Sequence, residues 1–193
     1  YNYKTGEVVC MVSSPSFDPA DPPAIEAGDE RYDGVYLNRF LSGTFTPGSI
    51  FKTVTLTAAI EEIPDLFRRT FTCTGSTQVG GEAVTCPRAH GEMDIYGAFA
   101  NSCNGVFGQL AAELGAETMQ RYVTRAGLTS QYKVNGIPTA AGRFDVGSTP
   151  SQLGWAGVGQ YHDQVNPCAF LLWMGAIANG GKAAEPYLIR KTV

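Results

Sequence analysis

The chain has 193 residues, of which 44% are hydrophobic and 17% are charged, so its composition is that of a globular protein and not of a disordered one. The formal net charge is −4 and no basic run occurs, which argues against nucleic-acid binding and against a patch for anionic membranes. The longest apolar run, residues 168–178, is too short to span a membrane.

The first residues predict a β-hairpin over residues 1–13. Its turn is the segment Lys4-Thr5-Gly6, in which Thr-Gly has turn chemistry. The chain begins on strand-like residues without a signal peptide, so we expect it to be part of a longer protein. Residues 24–33, after a loop rich in proline and aspartate, are polar with weak helical character.

A helix is predicted to begin at Ser49, after a break at Pro47 and Gly48, and to end near Pro64. Lys52 lies three residues after Ser49, on the same face of this helix. A hydroxyl in the first turn meets the positive end of the helix dipole, and free backbone N–H groups there can stabilise an oxyanion. An amine one turn away can take the hydroxyl proton if burial lowers its pKa. Ser49 and Lys52 are therefore candidates for a nucleophile and its base that need no histidine.

The spacing Ser-x-x-Lys is common by chance, and the chain contains a second copy that runs from Ser130 to Lys133. This copy follows a glycine at position 127 and leads into Asn135-Gly136, a strong turn signal. It is therefore predicted to be a turn with a solvated lysine.

The middle of the chain predicts one hairpin and several helices. Residues 70–86 contain two glycine-rich turns and predict a short hairpin. Asp94 is predicted to cap a helix that is interrupted at residues 101–104. Two further helices are expected within residues 106–126, separated by Gly115.

The last third of the chain is irregular before it becomes helical again. Residues 129–156 are loop-rich, and so long an irregular region is usually functional or faces a partner. Gly157-Val158-Gly159 predicts a turn whose spacing differs from that of a dinucleotide fingerprint. Asn166-Pro167 starts a helix that runs through Ala178, and residues 183–189 are a strand candidate. The predicted fold class is α+β, with a helical part inserted between strands of a sheet.

The five cysteines include no C-x-x-C pair, and the chain has two histidines, so no zinc site is expected and neither a metal nor a cofactor is predicted. Cys73 and Cys86 bracket the glycine-rich hairpin. They could form a disulfide or be two small buried residues, and both interpretations stay open. Cys10 and Cys168 lie in apolar runs and are predicted to belong to the core.

Several segments resemble the transpeptidase domain of penicillin-binding proteins, most closely the class B, monofunctional type within the serine β-lactamase/DD-peptidase superfamily. Thr46-Pro47-Gly48-Ser49-Ile50-Phe51-Lys52 resembles the Ser-x-x-Lys motif with its Pro-Gly lead-in. His90-Gly91 followed by Asn101-Ser102-Cys103-Asn104 resembles the Ser-x-Asn motif and its approach. Residues 3–19, 157–160 and 179–181 resemble further landmarks, so the resemblance spans almost the whole chain.

The resemblance implies a role for each matching residue. Ser49 would be the nucleophile, acylated by the penultimate D-alanine of a peptidoglycan stem peptide or by a β-lactam, and its backbone N–H would supply half of the oxyanion hole. Lys52 would be its base, although the identity of the proton acceptor in this superfamily is disputed. Ser102 would relay the proton to the leaving group, and Asn104 would bind the acyl side-chain amide and help to hold Lys52. A capped helix break is the other interpretation of Ser102 and Asn104.

The third motif of the family, Lys-Thr-Gly on a sheet strand, is expected after residues 183–189 and is not found there. Lys191-Thr192-Val193 lacks the glycine, and Lys4-Thr5-Gly6 spells the motif within a predicted turn. The resemblance therefore implies a partial transpeptidase domain of the DD-peptidase/β-lactamase-like fold that stops before its C-terminal strands. Its expected parts are the first hairpin in 1–13, a mainly helical part with the motifs in 24–180, and the start of later strands in 183–193.

The resemblance also implies a function: cross-linking of peptidoglycan stem peptides that end in D-Ala-D-Ala, by an enzyme that β-lactams inhibit. The parent protein would act outside the bacterial cytoplasmic membrane, held by an anchor that is not in this chain, together with cell-wall assembly proteins, and the chain alone would be an incomplete active site. Other interpretations are a DD-carboxypeptidase, a β-lactam sensor, a class D-like β-lactamase, or an inactive assembly scaffold with residues 129–156 as its partner surface.

Overall fold

The computed structural model describes residues 1–26 and 28–190. These residues form six α-helices, three 3₁₀ turns and six short strands, which confirms the α+β class. The helices are α1 (Arg39–Ser42), α2 (Lys52–Glu62), α3 (Ile95–Ala100), α4 (Asn104–Arg125), α5 (Pro150–Val158) and α6 (Pro167–Ala178). The strands are β1 (Phe71–Cys73), β2 (Ser76–Val79), β3 (Glu82–Thr85), β4 (Gly91–Met93), β5 (Lys133–Val134) and β6 (Ile137–Pro138), and the 3₁₀ turns are Glu30–Tyr32, Gly48–Phe51 and Leu66–Arg68. No helix among the described residues has both the length and the apolar character that crossing a membrane requires.

The strands pair in three antiparallel ribbons, β1 with β4, β2 with β3, and β5 with β6. The predicted hairpin in residues 70–86 is therefore present as β2 and β3, joined across Gly80 and Gly81, which both have positive φ. β1 lies just before this hairpin and pairs with β4, which lies just after it, so Cys73 is opposite Gly91. This nested arrangement brings the ends of the segment back together.

The chain divides into two compact units. The first contains residues 1–44, 130–141 and those from 166 onward, and the second contains residues 45–129 and 142–165. The predicted grouping of residues 24–180 into one mainly helical part differs from this division. All four predicted site residues lie in the second unit.

The core of the second unit forms where α4 packs against α2 and α5. The predicted stop at Gly115 is confirmed, because its φ of 78° and ψ of 162° interrupt α4 and divide it into two helical segments. The buried side chains of the first segment include Phe107 and Leu110, and each such side chain contributes about 1.5–3 kcal/mol by leaving water. Gly157 lets α5 approach α4 closely, since a Cβ at position 157 would collide with Ala111 of α4.

In the first unit, one buried side chain joins two helices. Asn166 caps α6 as predicted, because its Oδ1 accepts hydrogen bonds from the backbone N–H groups of Cys168 and Ala169. Its Nδ2 reaches three backbone carbonyls at the end of α1, at distances of 2.8–3.2 Å. Pro167 occupies the first helical position, where its missing N–H costs nothing.

The two ends of the chain differ from the prediction. The turn at Lys4-Thr5-Gly6 is present, and the N–H of Gly6 donates to the carbonyl of Asn2 at 2.8 Å. The arms predicted on either side form no ladder among the described residues. Glu7 instead makes an isolated parallel bridge with Tyr187, and this bridge is the only strand-like pairing that the structure describes for residues 183–189.

The two cysteines predicted to lie in the core differ in burial. Cys168 is buried, but the prediction for Cys10 was wrong, since Cys10 is exposed. The neighbours Val9 and Val12 are 72% and 82% exposed, whereas Val8 is buried and Met11 packs against a core cluster, so only part of this apolar run belongs to the core.

The prediction of a loop-rich region over residues 129–156 was also wrong in part. Pro150 is the first residue of α5, and the Thr149 side chain caps this helix by accepting from the N–H of Gln152. The predicted turn at 157–159 is the end of the same helix, which Gly159 terminates in the left-handed conformation, at φ 83°. Asn135 and Gly136 form the tight turn between β5 and β6, and both have positive φ.

Candidate active site

The site begins at a 3₁₀ turn that leads directly into α2. Ser49 lies exposed in this turn, Gly48–Phe51, whereas Lys52, the first residue of α2, is 1% exposed. The Nζ atom of Lys52 lies 3.2 Å from the Oγ atom of Ser49. The two side chains therefore lie together as the spacing predicts, although α2 begins at Lys52 and not, as predicted, at Ser49, which lies in the 3₁₀ turn before it.

Two glycines fix the position of this turn. Gly48 has φ 60°, and its N–H donates to the carbonyl of Gly159 at 2.8 Å. A Cβ on Gly159 would collide with the carbonyl oxygen of Gly48, so only glycine fits there. Phe51 is fully buried and stacks on Phe144, with ring centroids 5.4 Å apart. The sequence indicated Gly159 as a turn residue, but gave no signal that it supports the serine.

Ser102 and Asn104 reach the site from the connection between α3 and α4. Asp94 caps α3 as predicted, by accepting from the N–H of Gly97 at 2.8 Å. After α3 ends, Ser102 adopts φ 52°, a left-handed conformation that a residue with a side chain rarely takes, and α4 starts at Asn104. Such backbone strain persists only where surrounding contacts enforce it.

Lys52 makes those contacts. Its Nζ atom lies 2.6 Å from the carbonyl oxygen and 2.9 Å from the hydroxyl oxygen of Ser102, and 2.8 Å from the Oδ1 atom of Asn104. The Nδ2 atom of Asn104 donates to the carbonyl of Thr85 at 2.9 Å, which fixes the side-chain amide with its oxygen toward the lysine. The structure therefore brings all four predicted residues, Ser49 included, around one nitrogen atom.

The hydrogen-bonding capacity of that nitrogen limits what it can do. The carbonyl of Ser102 and the Oδ1 of Asn104 can only accept, so they take two N–H groups of Lys52. The remaining position faces the hydroxyls of Ser49 and Ser102. In the neutral amine this position is a lone pair, and in the ammonium it is a third N–H. The arrangement can therefore move a proton between the lysine and either hydroxyl without rearrangement of its other partners.

Burial favours the neutral form of the Lys52 amine. It lowers the pKa of Lys52 to about 8, against the opposite effect of the Cys86 and Cys103 thiols. The Phe107 ring acts in the opposite sense, because its centroid lies 5.8 Å from the Nζ atom and its face attracts the ammonium. A substantial neutral fraction near neutral pH is what a general base requires.

Beside the Ser-x-Asn turn, the structure gathers four side chains that the sequence analysis did not connect. The ligand atoms of Cys73, Cys86, His90 and Cys103 all lie within 4.8 Å of one another. No disulfide joins Cys73 to Cys86, and all five cysteines are free thiols. The search for paired cysteines at short spacing could not find this group, because the nested strands and the start of α4 bring distant residues together.

Two of the three remaining motif copies lie among the described residues. Lys4-Thr5-Gly6 forms the predicted turn in the first unit, and Lys191-Thr192-Val193 lies outside the described residues. In the second Ser-x-x-Lys copy, Ser130 and Lys133 are both exposed, as predicted.

Comparisons with known proteins cover almost the whole chain. The family model of the penicillin-binding protein transpeptidase domain matches residues 1–193. The chain is 28% identical to the peptidoglycan D,D-transpeptidase PbpA of Mycobacterium tuberculosis, over 96% of this chain and 41% of that protein. It is 32% identical to the stage V sporulation protein D of Bacillus subtilis, over 100% of this chain and 30% of that protein.

A solved structure gives the same result. Penicillin-binding protein A from Mycobacterium tuberculosis, determined as a ceftriaxone acyl-enzyme complex, superposes with a TM-score of 0.82 and 26% identity. The match covers 97% of this chain and 45% of that one, so the chain spans less than half the length of these relatives. The chain thus belongs to the penicillin-binding protein transpeptidase domain family, and its relatives are class B transpeptidases.

Proposed function

We propose that the protein containing this chain is a peptidoglycan D,D-transpeptidase in which Ser49 forms the acyl-enzyme. The observation that carries this proposal is the buried Lys52 amine, 3.2 Å from the Ser49 hydroxyl and held by Ser102 and Asn104. The oxygen of Ser49 attacks the carbonyl carbon of the penultimate D-alanine, and its proton passes to Lys52. The C–N bond to the terminal D-alanine then breaks, and that residue leaves with a proton.

Ser102 suits the delivery of that proton. Its hydroxyl lies 2.9 Å from the Lys52 nitrogen, so it can pass a proton outward and regain one from the lysine. The amine of a second stem peptide then attacks the acyl-serine, which forms the cross-link and returns the proton to Ser49. The N–H of Ser49, in the first turn of the helical segment, supports the developing oxyanion.

The relatives support this proposal. PbpA of Mycobacterium tuberculosis is named a peptidoglycan D,D-transpeptidase. Penicillin-binding protein A from the same organism has been solved as acyl-enzyme complexes with ceftriaxone, penicillin G and imipenem. We propose that β-lactams acylate Ser49 in the same way, and that the protein acts on the outer face of the cytoplasmic membrane, where its substrate and the cell-wall assembly proteins lie.

The test is acylation of the full-length protein by a fluorescent penicillin, followed by intact mass. We expect a covalent adduct that is lost in Ser49→Ala and kept in Ser130→Ala, the matched control at the second Ser-x-x-Lys copy. Incubation with a D-Ala-D-Ala donor and an amine acceptor should then give the cross-linked product.

Other outcomes would favour other functions. Rapid release of hydrolysed penicillin would indicate a class D-like β-lactamase, and a stable adduct without peptide cross-linking would indicate a β-lactam sensor. Release of D-alanine with water as the only acceptor would indicate a DD-carboxypeptidase. Absence of any adduct in the full-length protein would overturn the enzyme proposal and leave an assembly scaffold.

A further inference from the structure

Three thiols and an imidazole converge next to the Ser-x-Asn turn. Cys73 is the last residue of β1, Cys86 directly follows β3, His90 directly precedes β4, and Cys103 lies between Ser102 and Asn104. The Sγ atom of Cys73 lies 3.4 Å from Nδ1 of His90, and the Sγ atom of Cys86 lies 3.7 Å from that of Cys103. All four ligand atoms lie within 4.8 Å of one another.

These distances fit the edges of a zinc tetrahedron. Zn–S bonds of about 2.3 Å and Zn–N bonds of about 2.0–2.1 Å place two sulfurs about 3.8 Å apart, and a sulfur and a nitrogen about 3.6 Å apart. The observed pairs, 3.7 Å and 3.4 Å, match both kinds of edge. The other pairs need to move closer by about 1 Å or less, which side-chain rotation can supply.

The backbone already holds the four side chains in place. The N–H of His90 donates to the carbonyl of Cys73 at 3.1 Å, and the N–H of Cys86 donates to the carbonyl of Gly75 at 2.9 Å. Cys73 and Cys103 are 1% and 0% exposed, while Cys86 and His90 are partly exposed and leave a route for an ion. A site of this kind is formed by the fold before any metal arrives.

We propose that Cys73, Cys86, His90 and Cys103 bind one zinc ion in a closed, structural Cys₃His site. Thiolate and imidazole ligands together select zinc over the hard cations, and four protein ligands leave no position for substrate. Zinc binding displaces the thiol protons to solvent and changes no oxidation state.

The zinc ion positions the candidate active site, a consequence that rests on the proposed function. Cys103 is flanked by the two residues that contact Lys52, and the Sγ of Cys86 accepts from the N–H of Gly105 at 3.4 Å. Thr85, whose carbonyl orients Asn104, is adjacent to Cys86 in the chain. A metal that joins Cys86 to Cys103 therefore fixes both ends of the Ser-x-Asn turn, and its ligands are positioning residues.

A disulfide between Cys86 and Cys103 is the competing chemistry. It requires a sulfur separation of about 2.05 Å and the removal of two electrons by an oxidant. A disulfide would involve only Cys86 and Cys103, and it would not account for the position of Cys73 and His90 beside them. The convergence of all four groups favours the metal.

The test begins with the metal content of the full-length protein, purified without chelators and measured by elemental mass spectrometry. We expect about one equivalent of zinc per chain, lost in Cys86→Ser and in His90→Ala. Cys10→Ser is the matched control, because Cys10 is exposed and outside the group, and it should keep the zinc. Ser49→Ala should also keep the zinc, which separates failure of this proposal from failure of the proposed function.

Cobalt(II) gives a second measurement that does not depend on whether the variants fold. The wild-type protein, stripped of metal and titrated with cobalt(II), should show the thiolate charge-transfer and tetrahedral d–d bands, and zinc should displace them. Removal of zinc should slow acylation by penicillin about 10–100-fold, and added zinc should restore it. Purified protein without zinc that fails to bind cobalt, or one with a disulfide between Cys86 and Cys103, would overturn the proposal.

Discussion

The chain carries the pattern Ser-x-x-Lys twice, and the two copies have opposite environments. In the first copy, Lys52 is buried at the start of α2 and contacts Ser49. In the second copy, Lys133 is the first residue of the short strand β5, and Ser130 lies before that strand. Both residues are exposed. Residues three apart share one face of a helical turn, whereas Ser130 lies before β5 and Lys133 within it, so no common helical face joins them. The pattern therefore acquires its chemistry from the helix and from burial, and not from the spacing itself.

Removal of each lysine should give the largest contrast between the copies. We expect Lys52→Ala to slow acylation of Ser49 by penicillin about 10²–10⁴-fold, the usual contribution of a positioned proton acceptor. Lys133→Ala should leave the rate unchanged, because Lys133 is exposed. The measurement is the second-order acylation rate constant, with circular dichroism to establish that both variants fold. Equal rates in the two variants would contradict the difference between the copies.

The pH dependence of acylation tests the effect of burial on the first copy. Burial lowers the pKa of Lys52 to about 8, so the rate should rise with pH and level off above that value. Each pH unit below the pKa reduces the neutral fraction about tenfold, so the rate near pH 6 should be about a hundredfold below the plateau. Stopped-flow measurements with a chromogenic cephalosporin from about pH 6 to about pH 9 would show this. A flat profile would mean that another group accepts the proton.

The lowered pKa of Lys52 also affects the free energy of unfolding, in the pH range above about 8. Between about 8 and the ordinary value of 10.5, the unfolded chain binds the Lys52 proton and the folded protein does not. The contribution of this lysine to the free energy of unfolding should therefore increase with pH across that window. The Lys52→Met variant, measured by urea unfolding, should lack this increase.

Removal of a hydrogen-bond partner of Lys52 should slow acylation less than removal of Lys52 itself. Asn104→Ala removes the acceptor at 2.8 Å, and we expect acylation to slow about 10–100-fold, since a hydrogen bond to a charged group contributes about 1.5–3 kcal/mol. Asn101→Ala is the matched control, because Asn101 also donates to a backbone carbonyl, that of Gly97, but does not take part in the Lys52 contacts. A similar loss in both variants would indicate a general disturbance of the turn.

The smallest expected effect concerns the backbone beside the first copy. Ser102 has φ 52°, so Ser102→Gly relieves strain that Ser102→Ala keeps, although both remove the hydroxyl. We expect the glycine variant to be more stable than the alanine variant by about 1 kcal/mol. Glycine avoids the energetic cost of the left-handed conformation, and part of that gain is offset because glycine loses more conformational entropy on folding. At the exposed strand residue Ser76 the order should reverse. Urea unfolding of the four variants checks this, and an alanine variant that is more stable than the glycine variant at both positions would exclude strain at Ser102.

Local signals in the sequence predicted much of this. Apolar spacing and the Pro-Gly break located α2, while Asp94 and Asn166 marked the starts of α3 and α6 through their capping side chains. Once Ser49 and Lys52 lay three residues apart in a helical turn, their contact followed from the helical period. Such features depend on residues a few positions apart, which is why one sequence is enough to predict them.

Contacts between distant residues could not be predicted in that way. The cysteine and histidine group forms because β1 pairs with β4 around a nested hairpin, a pairing that no local pattern specifies. The arms of the predicted first hairpin had suitable residues, but Glu7 paired with Tyr187 from the other end of the chain. The start of α5 was a missed local signal, since Thr149-Pro150 has the capping residue and the N-terminal proline of a helix.

Asn166 shows how a residue with no proposed chemical role can be as hard to replace as a nucleophile. Its side chain is completely buried, accepts from two N–H groups and shares its two N–H donors among three carbonyls within 3.2 Å. Aspartate has no donor for those carbonyls, glutamine is one methylene too long, and alanine leaves every partner unsatisfied. Mutational tolerance at this position should therefore be close to nil. A saturation screen scored on growth alone would rank Asn166 with Ser49, the proposed nucleophile, and only a parallel count of folded protein would tell the two roles apart.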